Sequence, residues 1–239
     1  MESTVRQRGP GRFSVLVICL AGTLGLTGCR SRPSTTAITE RAQGSDAGKK
    51  IQDGWKALMD ACEKPADSFH FSYKAQKNVN PKYPMDKTAK PEVGPEEIEA
   101  DISPEEINLK ETHGTKKSSA SAKKSDQLGW ATAQLSMLGA LGGPGIAMGY
   151  ASAVARPAGS ENVGTVSADK YEFDTSTASA SQKTAYAMMQ GMFNYTGVKG
   201  AAWVDKKSGR LVKFNLDTDL SDKAGNSWKE HDEGEVTPK

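Results

Sequence analysis

Near the C-terminus, apolar and polar residues alternate strictly, and this pattern limits the possible folds more than any other part of the sequence. One set of side chains between residues 211 and 221 is mostly apolar and consists of Val212, Phe214, Leu216, Thr218 and Leu220, with polar residues in between. Successive side chains of a strand point to opposite faces, so the pattern predicts a strand with one buried face. The turn at 206–209 should place Gly209 in the left-handed region, and residues 200–205 should form the partner strand of an antiparallel hairpin.

Other periodic patterns predict further strands and helices. Ser45 or Asp46 can cap a helix that ends near Lys64 and Pro65, and its apolar stripe consists of Ile51, Trp55, Leu58, Met59 and Cys62. Helical spacing predicts another helix at 179–193. Alternation predicts strands at 69–74, 98–102, 107–109 and 163–175, and a charged edge strand at 228–236. These elements together predict one α+β domain over residues 46–239.

Two segments of that domain have the composition of loops, and we predict that they are disordered. Residues 78–96 contain four prolines, which regular structure does not accommodate. Residues 112–126 (THGTKKSSASAKKSD) are rich in Ser and Lys and offer little to bury.

The segment 127–155 contains 29 residues without a charge. The GGPG sequence at 142–145 is predicted to break it into two pieces. Three interpretations remain open: buried core helices, a membrane-packing segment that uses its G-x-x-x-G spacings, or the lining of an apolar cavity. Methionine suits adaptable apolar surfaces. For the third interpretation the candidate lining residues, taken from this segment and from the helix at 179–193, are Trp130, Leu138, Met148, Met189, Met192 and Phe193.

The N-terminus has the pattern of a secretory signal peptide over residues 1–28. Basic residues Arg6, Arg8 and Arg12 precede an apolar run at 15–26, which would span ~18 Å as a helix and is short of the ~30 Å hydrocarbon core. Leu26-Thr27-Gly28-Cys29 resembles the lipobox of bacterial lipoproteins. That resemblance implies cleavage before Cys29, acylation of its thiol, and a membrane anchor made of two or three acyl chains. Arg30 is not the Asp that retains some lipoproteins in the inner membrane, so the outer membrane is favoured in a didermic bacterium.

Residues 29–45 are predicted to be a flexible tether, whose coil would span roughly 20 to 24 Å. Loss of the signal peptide removes three Arg and one Glu, which leaves a mature chain with equal numbers of basic and acidic residues. A neutral chain lacks the basic surface that nucleic-acid binding requires. Cys62 would be the remaining thiol beside the acylated Cys29, so we expect no disulfide within the chain.

The sequence contains no recognisable catalytic constellation, and we expect neither an enzyme nor a metal or other cofactor. His70, His113 and His231 are not at metal-ligand spacing. An EF-hand loop starting at Asp217 would need Gly at 222 and Glu at 228, where Asp and Trp stand.

The order of features resembles a known family of envelope lipoproteins. A lipobox and tether precede an amphipathic helix, a strand that begins Ser68-Phe69-His70-Phe71, the segment VSADKYEFD at 166–174 and the hairpin GAAWVDKKSGRLVKFNLD at 200–217. This arrangement is similar to the LolA/LolB and LppX/LprG lipoproteins. The resemblance implies a curved antiparallel sheet, a half-open barrel, with helices packed on its concave side over an apolar cavity for acyl chains.

These observations predict an envelope lipoprotein that binds or transfers a lipid or another apolar ligand. An alternative is a structural or interaction lipoprotein whose 127–155 segment docks on a membrane or a protein partner. The predicted partners are the membrane, through Cys29, and a lipid ligand. No protein partner can be named from the sequence.

Overall fold

Two long helices and nine strands account for most of the residues that the computed structural model describes, which are 45–80, 95–183, 194–221 and 227–239. All of them belong to one unit, Thr36–Lys239. The helices are α1 (Asp46–Glu63) and α2 (Gln127–Ala151). The strands are β1 (Phe69–Asn80), β2 (Pro95–Ile102), β3 (Glu106–His113), β4 (Lys116–Lys123), β5 (Arg156–Val163), β6 (Val166–Asp174), β7 (Asn194–Asp205), β8 (Leu211–Ser221) and β9 (Ser227–Pro238).

The strands form one open antiparallel sheet in the order β4-β3-β2-β1-β9-β8-β7-β6-β5. Strands β1 to β4 are consecutive neighbours, and so are β5 to β9. The two sets are joined where β9 pairs with β1 along its whole length, from Phe69 opposite Pro238 to Asn80 opposite Ser227. Helix α2 connects the two edge strands of the sheet, β4 and β5. The predicted α+β class with an antiparallel sheet is therefore confirmed.

Both helices share one hydrophobic core with one face of the sheet, which we call the inner face. Helix α1 contributes Ile51, Leu58 and Cys62, and α2 contributes Met137, Leu141 and Met148. The inner face contributes larger side chains, among them Phe69, Phe71, Tyr73, Ile98, Ile102, Phe173, Phe214 and Leu216. Trp55 of α1 meets Phe214 edge-on, with ring centroids 5.6 Å apart, so α1 is fixed over the middle of the sheet.

The backbone of α2 approaches the sheet on both sides of its central strands. It comes close to β4, β3 and β2 on one side and to β7 and β8 on the other. Strands β4 and β7 are six intervals apart in the sheet, which corresponds to roughly 29 Å at the usual strand spacing. Helix α2 has 25 residues and is about 37 Å long, so it can bridge that distance.

The local predictions for α1 and for the C-terminal hairpin are confirmed. Ser45 is the N-cap of α1, and its Oγ accepts a hydrogen bond from the Gly48 amide at 3.2 Å. The turn between β7 and β8 contains Gly209 with φ of 70°, the left-handed conformation that its position predicts. The strands predicted at 69–74, 98–102 and 107–109 lie within β1, β2 and β3.

The prediction of a disordered loop at 112–126 is wrong, because most of this segment is strand β4. It pairs with β3 from Glu106 opposite Lys123 to His113 opposite Lys116. Seven of its eight side chains are exposed, and Ala122 is the one that reaches the core. A strand at the edge of a sheet can carry Ser and Lys on both faces, and Lys there discourages pairing with other chains. Composition alone therefore indicated a loop.

The predicted break at 142–145 is also wrong, because α2 continues through Pro144 without interruption. A proline inside a helix removes one backbone hydrogen bond and costs about 3 kcal/mol or more. Burial of Leu141 and Met148 on either side of Pro144 offsets that cost. Gly145 lets Trp55 pack directly on the helix, since a Cβ at this position would lie 2.6 Å from the indole nitrogen.

Residues 228–236 form a strand as predicted, but the prediction that this strand lies at an edge of the sheet is wrong. Strand β9 lies in the middle of the sheet, between β8 and β1. Lys229, His231, Glu233 and Glu235 lie on the outer face, where Lys229 contacts Asp219 of β8 at 2.9 Å and His231 contacts Asp217 at 2.7 Å. Cross-strand pairing of opposite charges makes a charged strand acceptable inside a sheet.

Val212 does not share a face with Phe214, contrary to the alternation of the sequence. The pairing of β7 with β8 shifts between Trp203 opposite Lys213 and Val204 opposite Leu211, which makes a bulge. Leu211 therefore joins the main core, and Val212 joins a small outer-face cluster around Trp203.

Several predictions fall on residues outside the described part of the chain. They concern the signal peptide at 1–28, Cys29, the tether up to residue 44, most of the loop at 78–96 and most of the helix at 179–193.

Candidate functional site

Three of the predicted cavity-lining residues are described, and all three lie on α2. Met148 is fully buried in the core, whereas Trp130 and Leu138 are half-buried and pack against it. Trp130 and Met148 are 18 residues apart along the helix, which corresponds to about 27 Å, so these side chains do not converge on one point. Met189, Met192 and Phe193 lie outside the described residues, as does Cys29.

Polar side chains on the inner face form a group that the sequence analysis did not identify. Asp232 of β9 is 3% exposed and accepts a hydrogen bond of 2.7 Å from the hydroxyl of Tyr73 on the neighbouring strand β1. Burial raises the pKa of Tyr73 far above its ordinary value, and the carboxylate of Asp232 raises it further. Tyr73 therefore stays protonated and acts as a hydrogen-bond donor at any physiological pH.

Thr218 of β8 belongs to the same group. It pairs with Glu230 of β9 on one side and with Val198 of β7 on the other. Asp232 pairs with Leu216, two residues from Thr218, so Thr218 and Asp232 are diagonal neighbours about 7–8 Å apart. Thr218 is 4% exposed, and none of the residues that the structure describes forms a hydrogen bond with its hydroxyl oxygen. A buried hydroxyl without a partner costs about 1–3 kcal/mol, which calls for an explanation.

Two further tyrosines connect this group to α2. Tyr150 donates a hydrogen bond of 3.2 Å to the backbone carbonyl of Tyr195, and the two ring centroids are 5.5 Å apart. Burial raises the pKa of Tyr195 to about 12, with the negative charges of Glu230 and Asp232 adding to the effect. We call Tyr73, Thr218, Tyr195, Glu230 and Asp232 the inner polar group.

The inner polar group can hold a ligand by hydrogen bonds. Tyr73 donates its one hydroxyl proton to Asp232, so its oxygen can still accept a hydrogen bond, and Thr218 supplies a hydroxyl that can both donate and accept. Apolar side chains adjoin the group on the same face, since Leu216 and Leu220 flank Thr218 along β8 and both are buried. The arrangement suits a molecule that has one polar end and an apolar remainder.

Only part of this group had a signal in the sequence. Thr218 stood on the predicted buried face of β8. Asp232 and Val236 are buried on the same side of β9, so a period of two was present there, but the many charges of β9 obscured it. Tyr73 and Asp232 are 159 residues apart in the chain, and no local pattern could have paired them.

The outer face of the sheet has a small cluster of its own around Trp203. The ammonium groups of Lys170 and Lys213 lie 5.4 and 5.6 Å from the indole ring, and the indole N–H donates to Glu161. These contacts cover Val212 and Ala201 and stabilise the packing of β5 to β8. We therefore assign the cluster a structural role.

Another group lies where β1 begins. Arg210 makes two hydrogen bonds of 3.2 Å to the carboxylate of Asp67, and its guanidinium lies 4.9 Å from the centre of the Phe69 ring. An open depression of about 440 Å³ adjoins it and is lined by Asp60, Ala61, Glu63, Lys64, Ala66 and Asp67. Its acidic, open lining does not suit an apolar ligand.

Neither a metal-binding cluster nor a second membrane-length helix occurs in the part of the chain that the structure describes. Within those residues, no three His, Cys, Asp or Glu side chains are grouped so that they could hold a metal ion. The segment Gln127–Val154, in which a window of 18 residues has a mean hydropathy of 1.2, is there the one helix that is long and apolar enough to cross a membrane.

The sequence matches no protein-family model, and no curated protein matches it.

Proposed function

We propose that the chain is an envelope lipoprotein, anchored in a membrane through acyl chains on Cys29, which binds or transfers a lipid or another apolar ligand on the inner face of its sheet. The observation that carries the proposal is the buried hydroxyl of Thr218, which has no hydrogen-bond partner among the described residues and lies beside the Tyr73–Asp232 pair on a largely apolar face. A ligand with a polar end would supply the missing partner and bury its apolar part against the same face.

The position of α2 supports a curved sheet, a half-open barrel, with the helices on its concave side. Helix α2 comes close to β4, β3 and β2 and to β7 and β8, while the central strands β1 and β9 lie farther from its backbone. A sheet whose sides bend toward the helix has this geometry. Large side chains such as Phe71 and Phe214 occupy the wider space at the centre.

Native mass spectrometry of the full-length protein, extracted from membranes in mild detergent, tests the proposal. We expect a population whose mass exceeds that of the acylated chain by one non-covalent ligand, which organic extraction then releases for identification. Protein that is ligand-free in every preparation, including those made with the gentlest detergent, would contradict the proposal.

Thr218→Val tests the position of the binding site, because it replaces the hydroxyl with a methyl group and keeps the shape of the side chain. Removal of an unpartnered buried hydroxyl should leave the free energy of unfolding unchanged or raise it by about 1 kcal/mol. The same change should lower the ligand-bound fraction severalfold. Equal ligand content in the variant and the native protein would rule out this part of the inner face as the binding site.

A further inference from the structure

The side of α2 that faces away from the sheet forms an exposed stripe without any charge. Exposed positions recur every three or four residues along it, at Leu128, Ala131, Leu135, Gly139, Gly142 and Ile146. Leu128, Leu135 and Ile146 are 79%, 57% and 63% exposed, and they are the large apolar side chains that the described residues expose to solvent. We call these six residues the outer stripe of α2.

An uncharged outer stripe is unusual for a helix that packs on a sheet. Such helices normally carry charged or polar side chains opposite the buried stripe. The outer stripe has Leu, Ile, Ala and Gly instead, and no residue from 127 to 155 is charged. Exposed apolar residues that line up along 19 residues, from Leu128 to Ile146, indicate a contact surface.

The point where the chain enters the domain indicates which surface lies near the stripe. Ser45, the first described residue after Cys29, donates a hydrogen bond of 2.7 Å to the carbonyl of Ala155, at the C-terminal end of the uncharged segment. The backbone there is tightly packed, since a Cβ at Gly48 would lie 2.2 Å from the carbonyl oxygen of Ser152. The chain that leads back to Cys29 therefore joins the domain at one end of α2.

The distance from the anchor to the stripe is short enough for contact with the bilayer. The fifteen residues between Cys29 and Ser45 can span at most about 50 Å. Because α2 is about 37 Å long, its whole outer stripe lies within reach of a membrane that holds Cys29.

We propose that the outer stripe of α2 docks on the surface of the lipid bilayer in which the chain is anchored. The helix lies in the plane of the interface and does not cross the membrane, because Met137, Leu141 and Met148 on its other side are buried in the core. This inference rests on the anchor at Cys29 that the proposed function includes, and it does not depend on a ligand in the sheet.

Flotation with phosphatidylcholine vesicles tests the docking without an anchor. A chain that begins at Arg30 retains the whole unit Thr36–Lys239 and lacks the acylated residue. We expect it to float with the vesicles and the triple variant L128Q/L135Q/I146Q to show about a tenfold or larger drop in the ratio of bound to free protein. The matched control K49Q/D53Q/K56Q, on the exposed side of α1, should float like the unaltered chain.

A fluorescent label reports the orientation of the domain once it is held at the membrane. The same chain is attached by an N-terminal histidine tag to vesicles that contain a nickel-chelating lipid. An environment-sensitive dye is placed on L135C or on K56C, and the buried Cys62 stays unlabelled. We expect a blue shift and quenching by lipid-borne quenchers at position 135 only.

Three results would overturn the proposal. The first is equal flotation of the Gln triple variant and the unaltered chain, and the second is the same dye response at positions 135 and 56. The third is a vesicle-free dimer of the unaltered chain that the triple variant abolishes, with no vesicle binding by either, because the stripe would then be an interface between two copies. Loss of ligand in native mass spectra would affect none of these outcomes, so the two proposals can fail separately.

Discussion

Helices α1 and α2 bury one side in the same core and differ completely on the other side. The exposed side of α1 carries charges, with Lys49 paired to Asp53 at 2.6 Å and Lys56 paired to Asp60 at 2.5 Å. The exposed side of α2 carries no charged residue, and its outer stripe consists of Leu, Ile, Ala and Gly. Folding requires only the shared buried side, so a difference on the exposed side reflects what each helix meets outside the domain. Water is the expected neighbour of α1, and a bilayer surface is the neighbour that we propose for α2.

The buried sides of α1 and α2 should contribute about equally to the free energy of unfolding. Substitutions on these sides should have the largest effects. Leu58→Ala in α1 and Met137→Ala in α2 each remove a fully buried side chain from the same cluster. Each should lower the free energy of unfolding by about 2–5 kcal/mol in urea denaturation. A loss below 1 kcal/mol for only one of the two would mean that this helix is not part of the shared core.

The buried sides differ in one titratable group, Cys62 of α1. Burial raises the pKa of its thiol to about 12, from an ordinary value of 9.0. Between these two values the unfolded chain releases the proton and the folded chain keeps it, so stability should fall as the pH rises. The expected slope is about 1.4 kcal/mol per pH unit.

Urea denaturation of the native chain and of Cys62→Ala between pH 8 and 11 measures this contribution as a difference. The gap in stability between the two should narrow as the pH increases. A constant gap would show that the thiol has the same pKa in both states. The native thiol should also be unreactive toward alkylating reagents at pH 8 until the chain unfolds.

The contact between the helices depends on Gly145, where a Cβ would lie 2.6–2.8 Å from three atoms of the Trp55 indole. Gly145→Ala should therefore lower the free energy of unfolding by about 1–3 kcal/mol, because the indole must move within a packed core.

Gly142→Ala is the matched control on the exposed side of α2, where a Cβ would meet nothing within 4 Å. It should raise the stability by about 0.5–1 kcal/mol, since alanine favours the helix. A stabilising effect of Gly145→Ala would contradict the packing of the two helices.

Substitutions on the exposed sides of the two helices should have the smallest effects on stability. Lys49→Ala removes an exposed ion pair and should cost at most about 0.5 kcal/mol, with less effect at high salt. Leu135→Gln should also change the stability by no more than about 0.5 kcal/mol. A cost above 1.5 kcal/mol for Leu135→Gln would indicate that this side chain is a structural contact within the domain and would weaken its role as a docking residue.

The elements that the sequence predicted correctly are those whose signal is local. Helix α1 has an N-cap, an apolar stripe and a terminating proline within 21 residues, and the β7–β8 hairpin has alternating apolar and polar residues next to Gly209. Strands β4 and β9 were misassigned because their place depends on distant partners, which composition does not reveal. The persistence of α2 through Pro144 is likewise decided by its contacts with the sheet and with Trp55.

The candidate site was predictable to a smaller extent. The apolar residues of α2 were identified as a group, but their division into a buried side and an outer stripe needed the sheet. The inner polar group depends on pairing between strands from opposite ends of the chain, and Tyr73 with Asp232 is the clearest case. The alternation of the sequence also did not predict the bulge at Val212. The bulge adds one residue to β8, so the side chains before it point to the opposite face from the one expected.

Metabolic labelling with palmitate tests most directly the membrane anchor on which both proposals rest. The full chain and a Cys29→Ser variant are produced in a bacterial host that is fed radiolabelled palmitate, and the purified proteins are compared by autoradiography and intact mass. We expect label in the native chain, a mass that corresponds to an acylated protein beginning at Cys29, and no label in the variant. An unlabelled native chain whose Cys29 thiol remains free would contradict the anchor.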